Sequence, residues 1–357
     1  MTPARPAAVS DPARPGVTAR PPRALLIRPR HAAAERHPLS PARVRDLLAA
    51  GAYEPVPEPA VVVYRLEGEG FRQTGVVVEV PVDDYRQGRI RRHEATQPER
   101  EEEIQRFAET AGIEPMPVML THPARPRLRA VLEEVATGEP AVRLSADDTV
   151  HSAWISADPQ RVRAVLDEIA ALPALYITDG HHRMAAAERY AARHPSSGDV
   201  ALAAVFPSDE MRILGYHRCL PVPDGTSAAE LLARIAAQPV VTDVRECPPG
   251  TPPAPGSVSV RIDGRWFLLR LRAPADPDHV RDSLDVVVLN EELIPGVFGS
   301  AEITCTCTRQ ETISLLPHPP GVAEVMAVSD AGLLMPPKST WFDPKAGVGL
   351  FVRELHR

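Results

Sequence analysis

The sequence contains no apolar run approaching the roughly 18 to 20 residues that a helix needs to cross a bilayer, which excludes an integral helical membrane protein. Cysteine is scarce: Cys219, Cys247, Cys305 and Cys307 are too few and too unevenly placed in 357 residues for a disulfide framework, so a reducing cytoplasm is the simplest home. Aromatics reach only 4%, which leaves the core to Val, Leu, Ile and Ala. There is no excess of positive charge; the formal net charge of −7 argues against a nucleic-acid glove. No Walker A loop, kinase Gly-rich loop, dinucleotide G-x-G-x-x-G or H-E-x-x-H occurs, which removes the familiar nucleotide folds and the zincins. What is abundant is proline, 40 residues, about twice the usual share of roughly 5%, with 44% hydrophobic residues. That is a globular chain with punctuated surface segments.

Residues 1–23 read as a flexible Arg/Pro-rich tail with no apolar segment of a secretory signal, and its prolines would break the helix of a transit peptide. ALLIRP from Ala24 predicts a first strand, and SPARVRDLLAAG a helix capped by Ser40. VVVYRLEG and TGVVVEVPVDDY predict a hairpin turned by EGEGFRQ. A helix capped by Thr96, with Pro98 and Glu99 in its first turn, ends at Gly112; another ends at Gly138. PMPVMLTH, HSAWIS and ALAAVFP predict buried strands, and PQRVRAVLDEIAAL a helix with Val162, Val165, Leu166 and Ile169 on one face. SVSVRI and GRWFLLRLR form a hairpin around Asp263-Gly264, and a cap at Thr226 or Ser227 starts a helix. The C-x-C of Cys305 and Cys307 alternates with Thr as a strand would. Strands and helices mix without a strict βαβ rhythm, so the expected class is α+β, loosely mixed α/β.

The sharpest motif is Asp179-Gly180-His181-His182-Arg183 between the strand ALYIT and an Ala-rich helix. Gly180 permits tight backbone approach, the helix start offers N–H groups and positive dipole, and two imidazoles and a guanidinium cluster there, a combination suited to phosphate. Asp179 is placed to hold Mg²⁺ or orient a neighbouring imidazole, and the plainer alternative is a helix cap with solvated cations. A metal shared by His181 and His182 fits poorly, because adjacent residues at a helix start do not easily meet one ion. Arg91-Arg92-His93-Glu94 offers an ionised carboxylate among cations, usable as a general base, or a surface cluster paired with Glu99 to Glu103. Tyr216-His217-Arg218 is a third cationic knot, and Lys338-Ser339-Thr340 is a fragment of a phosphate loop without its glycines.

In chain order, RRHEATQPE, YITDGHHRMAAAE, ILGYHRCL, LDVVVLNEELI and GLLMPPKSTWFDPK resemble the bacterial and archaeal domain-of-unknown-function family 1015 over roughly residues 75–346. The Asp-Gly-His-His-Arg corner is also similar to the phosphate corner of the ParB/sulfiredoxin-like fold, which includes nucleotide-binding partition proteins and free-serine kinases. The resemblance implies a ParB/sulfiredoxin-like catalytic region over 24–219 and a C-terminal α+β region over 220–357. It implies that Asp179, Gly180, His181, His182 and Arg183 bind nucleotide phosphates, and the cationic motifs themselves add Arg92, His217, Arg218 and Lys338 as further cofactor-binding candidates. By the same resemblance Glu94 is the base for a substrate hydroxyl and His93 and Arg92 steady the γ-phosphate, while Asp179, on the chemistry of its carboxylate, is expected to serve catalysis and to hold Mg²⁺. The family's usual Pro-Pro-Tyr-Asp segment has no counterpart between Arg30 and Tyr64. If that segment helps form the active site, an altered substrate or an inactive protein follows.

The resulting expectation is a cytoplasmic kinase that uses ATP or ADP and Mg²⁺ to phosphorylate the hydroxyl of serine or a similar amino acid. The main alternative is a regulatory module that senses CTP or ATP without transfer. A ParB-like nucleic-acid role is disfavoured by the charge and by the lack of a basic helix-turn-helix. No membrane partner is expected, and a homodimer stays open.

Overall fold

The computed structural model describes residues 16–35, 39–146, 148–194, 199–223, 225–273, 279–299 and 312–355. Its strands and helices intermix, as the α+β expectation required. The chain divides into two compact units: the first holds the residues up to Met211 together with Pro344 onward, and the second runs from Arg212 to Asp343. The boundary expected between 219 and 220 thus falls earlier, and the C-terminal segment rejoins the first unit. The reason is a strand pairing distant in sequence: Phe351–Glu354 lies antiparallel to Leu25–Ile27 on one side and to Ile113–Glu114 on the other.

The first unit is built on an eight-stranded sheet. Its strands are β1 (Val61–Gly68), β2 (Phe71–Pro81), β3 (Ile90–Arg91), β4 (Val118–His122), β5 (Val142–Ala146), β6 (Thr149–Ser156), β7 (Leu175–Asp179) and β8 (Val200–Pro207). They lie in the order β3-β7-β4-β8-β2-β1-β6-β5. The pairs β3/β7 and β4/β8 are parallel and the others antiparallel. Val and Ile in these runs pack well on a pleated surface. Val63, Val78, Leu120, Ile177 and Val205 join one core with the buried faces of the helices α2 (Pro126–Val135) and α3 (Pro159–Ala170). The α3 face contains the expected Val162, Val165 and Ile169, with Leu166 partly buried.

Several sequence expectations are refined. The β1–β2 turn is shorter than EGEGFRQ, because pairing continues to Gly68 opposite Phe71. Helix α1 (Pro98–Ala111) has Gln97 at its N-cap, not Thr96, and ends at Gly112 as expected. Helix α2 closes at Ala136, short of Gly138. The tail reading fails for residues 16–23: Val17 is buried in the core, its N–H bonds the Leu172 carbonyl at 3.0 Å, and Arg20 pairs with Glu79. An apolar side chain that finds a core pocket anchors the Pro-rich segment around it.

The second unit has a five-stranded antiparallel sheet, β9 (Arg218–Pro221), β10 (Val241–Glu246), β11 (Ser257–Ile262), β12 (Arg265–Leu271) and β13 (Thr312–Pro317), in the order β9-β13-β11-β12-β10. Asp263 and Gly264 both have positive φ, 48° and 74°, which is the two-residue turn that the Asp-Gly dipeptide predicts between β11 and β12. A helix from Ala228 to Ala236 begins at Ser227 with a full capping box to Glu230. Leu231, Ile235, Val258, Leu269 and Leu289 belong to a core of this unit. Cys219 is disulfide-bonded, Cys247 is a free thiol, and Cys305 and Cys307 lie outside the described residues.

Candidate functional site

Two parallel neighbours, β3 and β7, end at the same edge of the sheet, with Arg91 opposite Tyr176. Carboxyl ends of parallel strands are where α/β sheets bind ligands. At the end of β7 the chain turns through Gly180, at φ 98° and ψ 31°, into helix α4 (His181–Arg193). Only glycine fits well there: the φ is left-handed, and a Cβ would sit 2.8 Å from the Arg183 guanidinium. Met184 N–H bonds the Gly180 carbonyl at 2.9 Å, so the amides of the first turn point out of the helix end, with its positive dipole.

Arg183 folds back over Gly180 and bonds both the Asp179 carboxylate and the Pro117 carbonyl. The other Asp179 oxygen is 2.6 Å from Lys345 Nζ. Burial pushes the Asp179 carboxyl up, but Arg183 and Lys345 outweigh it and hold the group below its usual range. Lys345 was not found by sequence reading. It lies after the second unit in the chain, and no local pattern links the final Pro-Lys of WFDPK to the Asp179 corner. Its segment is pinned from below: Ala346 N–H meets Met119 Sδ at 3.0 Å, and Gly347 N–H donates to Tyr64 Oη at 3.1 Å. The same oxygen shares a hydrogen bond of 2.6 Å with His151 Nδ1, which holds the phenol in place.

The Arg92-His93-Glu94 and Asp179–Arg183 motifs meet through a ring contact. His93, fully buried, packs edge-to-face on His181 with centroids 4.5 Å apart. Burial, and next the His181 ring, push the His93 pKa well below its ordinary value. Burial, followed by His182, Arg92, Arg183 and Lys345, lowers that of His181 to about 3. The expectation that the imidazoles supply positive charge is therefore corrected: His93 and His181 are neutral, and the cations whose field reaches His181 are Arg92, Arg183 and Lys345. His181 Nε2 is buried and makes no hydrogen bond among the described residues. His182 Nε2 accepts the Gln97 N–H at 3.1 Å, which ties α4 to the start of α1. Glu94, half-buried, follows His93 in the segment between β3 and α1.

The remaining expected residues belong to the second unit. Arg218 is 1% exposed, and its nitrogens bond Asn290 Oδ1 at 2.9 Å and the carbonyls of Tyr216 and Lys338 at 3.1 and 2.8 Å. A guanidinium held that way is structural, which corrects its assignment to nucleotide. His217 Nδ1 bonds Ser314 Oγ at 2.9 Å, and burial lowers its pKa. Lys338 has a positive φ of 61° and sets its ammonium 5.6 Å from the Tyr216 ring, which stacks on Trp341. Asp179 was expected to hold Mg²⁺, but both its oxygens are engaged by cations. Among the described residues no group of three or more His, Cys, Asp or Glu is placed to hold a metal ion. The residues present do not fit a resident metal.

No curated protein matches the chain. Among solved structures, SbnI with C-terminal truncation from Staphylococcus aureus is 14% identical at TM-score 0.42, with 75% of this chain and 82% of that chain covered. A free serine kinase in complex with AMP is 15% identical at TM-score 0.39, with 78% and 91% covered. A conserved hypothetical protein from Pyrococcus furiosus is 13% identical at TM-score 0.35, with 74% and 90% covered. These likenesses are too slight to bear on function. The family described as protein of unknown function (DUF1015) matches residues 24–287, nearly three quarters of the sequence, and the chain belongs to that family.

Proposed function

We propose that the Asp179–Arg183 corner grips the phosphates of ATP or ADP and that the protein transfers a phosphoryl group to a small-molecule hydroxyl, that of serine or a similar amino acid. The observation that carries this is the left-handed Gly180 opening a helix N-terminus among three cations, Arg92, Arg183 and Lys345. Backbone N–H groups and the cations, rather than the imidazoles, meet the phosphate oxygens. Neutral His181 and His93 fill the floor and keep water out. In the transfer, Glu94 takes the acceptor's hydroxyl proton, and the acceptor oxygen forms a bond to the terminal phosphorus. The bond from that phosphorus to its bridging oxygen breaks, and ADP leaves with the electron pair (AMP when ADP is the donor). No step passes through a protein-held metal.

The test is incubation with Mg-ATP and a pool of hydroxy amino acids, read by mass spectrometry. Phosphorylated product is expected, with Glu94→Gln reducing turnover by about 10²-fold or more while leaving nucleotide affinity unchanged. The double ion pair on Asp179 favours a second reading, a nucleotide sensor without transfer; binding by calorimetry with no product from any acceptor would select it.

A further inference from the structure

Helix α4 carries Arg183, Ala186, Ala187 and Tyr190 along one stripe, at the spacing that keeps side chains on one helix face. This stripe borders a cavity of about 390 Å³. Ile104 and Phe107 of α1 and Met116 and Val118 line it as well. Arg183 belongs to both regions. Its guanidinium bonds the Pro117 carbonyl, and the two chain neighbours of Pro117 are cavity walls, so the apolar space begins where the cationic corner ends. Ala186 and Ala187 leave this space open; a leucine at either position would occupy much of it.

We propose that this cavity receives the apolar portion of the phosphoryl acceptor, and that the acceptors are 3-hydroxy amino acids bearing an aliphatic or aromatic substituent instead of serine. The inference rests on the phosphotransfer reading and deepens it by naming the substrate class. Serine has no carbon beyond its hydroxymethyl group to place there. An acceptor with an isopropyl or phenyl group on its hydroxyl-bearing carbon buries that surface against Ile104, Phe107 and Met116. One extra methylene in such a pocket shifts specificity by roughly 10- to 200-fold.

The experiment compares serine, 3-hydroxyleucine and 3-phenylserine as acceptors with Mg-ATP, and measures AMP-PNP affinity by calorimetry, in the full-length protein and in Ala187→Leu. Ile104→Phe fills the cavity from the opposite wall and serves if Ala187→Leu does not fold. The expected result is a kcat/KM at least about tenfold higher for a substituted acceptor than for serine. Filling the cavity should erase that preference while AMP-PNP affinity stays within twofold. A preference for serine in the unmodified protein overturns the inference alone. So does a loss of AMP-PNP affinity in the filled variants, which would assign the cavity to the nucleobase. No AMP-PNP binding, or no product from any of the three acceptors, overturns the phosphotransfer reading itself.

Discussion

Gly180 and His181 show how single residues set the character of the corner. Gly180→Ala must carry a side chain at φ 98° and push the Arg183 guanidinium off its Asp179 and Pro117 partners. A cost of about 1–3 kcal/mol in denaturant unfolding is expected, with nucleotide affinity reduced more than tenfold by calorimetry; an unchanged affinity would remove Gly180 from the site. For His181 the sign follows from its lowered pKa. The unfolded imidazole protonates below about pH 6.5, whereas the native one stays neutral down to about 3. Unfolding therefore takes up a proton across that window, so stability is full above pH 6.5 and declines as the pH falls toward 3. This group contributes roughly 1.4 kcal/mol per pH unit, order of magnitude, within the window. Unfolding midpoints between pH 7.5 and 4.5 should fall less steeply in His181→Leu than in the unmodified protein, and identical slopes would refute the buried neutral assignment. None of this was legible in the sequence. A His-His-Arg run looks cationic until burial, a tertiary property, decides which rings keep protons.

At the level of elements, the strand-to-helix corner was readable because it is local: a buried apolar strand, an Asp-Gly break and an Ala-rich helix lie within one stretch. Its convergence with Arg92-His93-Glu94 required the parallel β3/β7 pairing, which no sequence spacing encodes. The segment carrying Lys345 was wholly out of reach, since its register depends on Tyr64 and Met119 far away in the chain. Tyr64→Phe deprives the Gly347 N–H of its acceptor, at about 1–3 kcal/mol, and releases the Lys345 segment. Nucleotide affinity should weaken several-fold in Tyr64→Phe and in Lys345→Ala, and the double variant should be little worse than Lys345→Ala alone. Additive losses in this cycle would show that Tyr64 does not act through Lys345.

For the whole molecule, the second unit behaves as an insertion. Arg212, at its entry, pairs with Asp343, at its exit, in a short antiparallel ladder, so the two ends of the inserted chain are neighbours. Replacing residues 212–343 with a short Gly/Ser linker should leave the first unit melting cooperatively and binding nucleotide, as monitored by circular dichroism and calorimetry; a protein without a cooperative transition would contradict this division. A boundary placed by resemblance alone cuts the chain once, whereas here the division is set by Phe351–Glu354 returning to Leu25–Ile27. That return also has a consequence for synthesis. Asp179 and Arg183 leave the ribosome long before Lys345, and the intervening chain must be translated before the third cation arrives. A nascent chain stalled before Lys345 would carry most of the first unit's strands with an incomplete phosphate grip, and so should stay inert until that residue emerges.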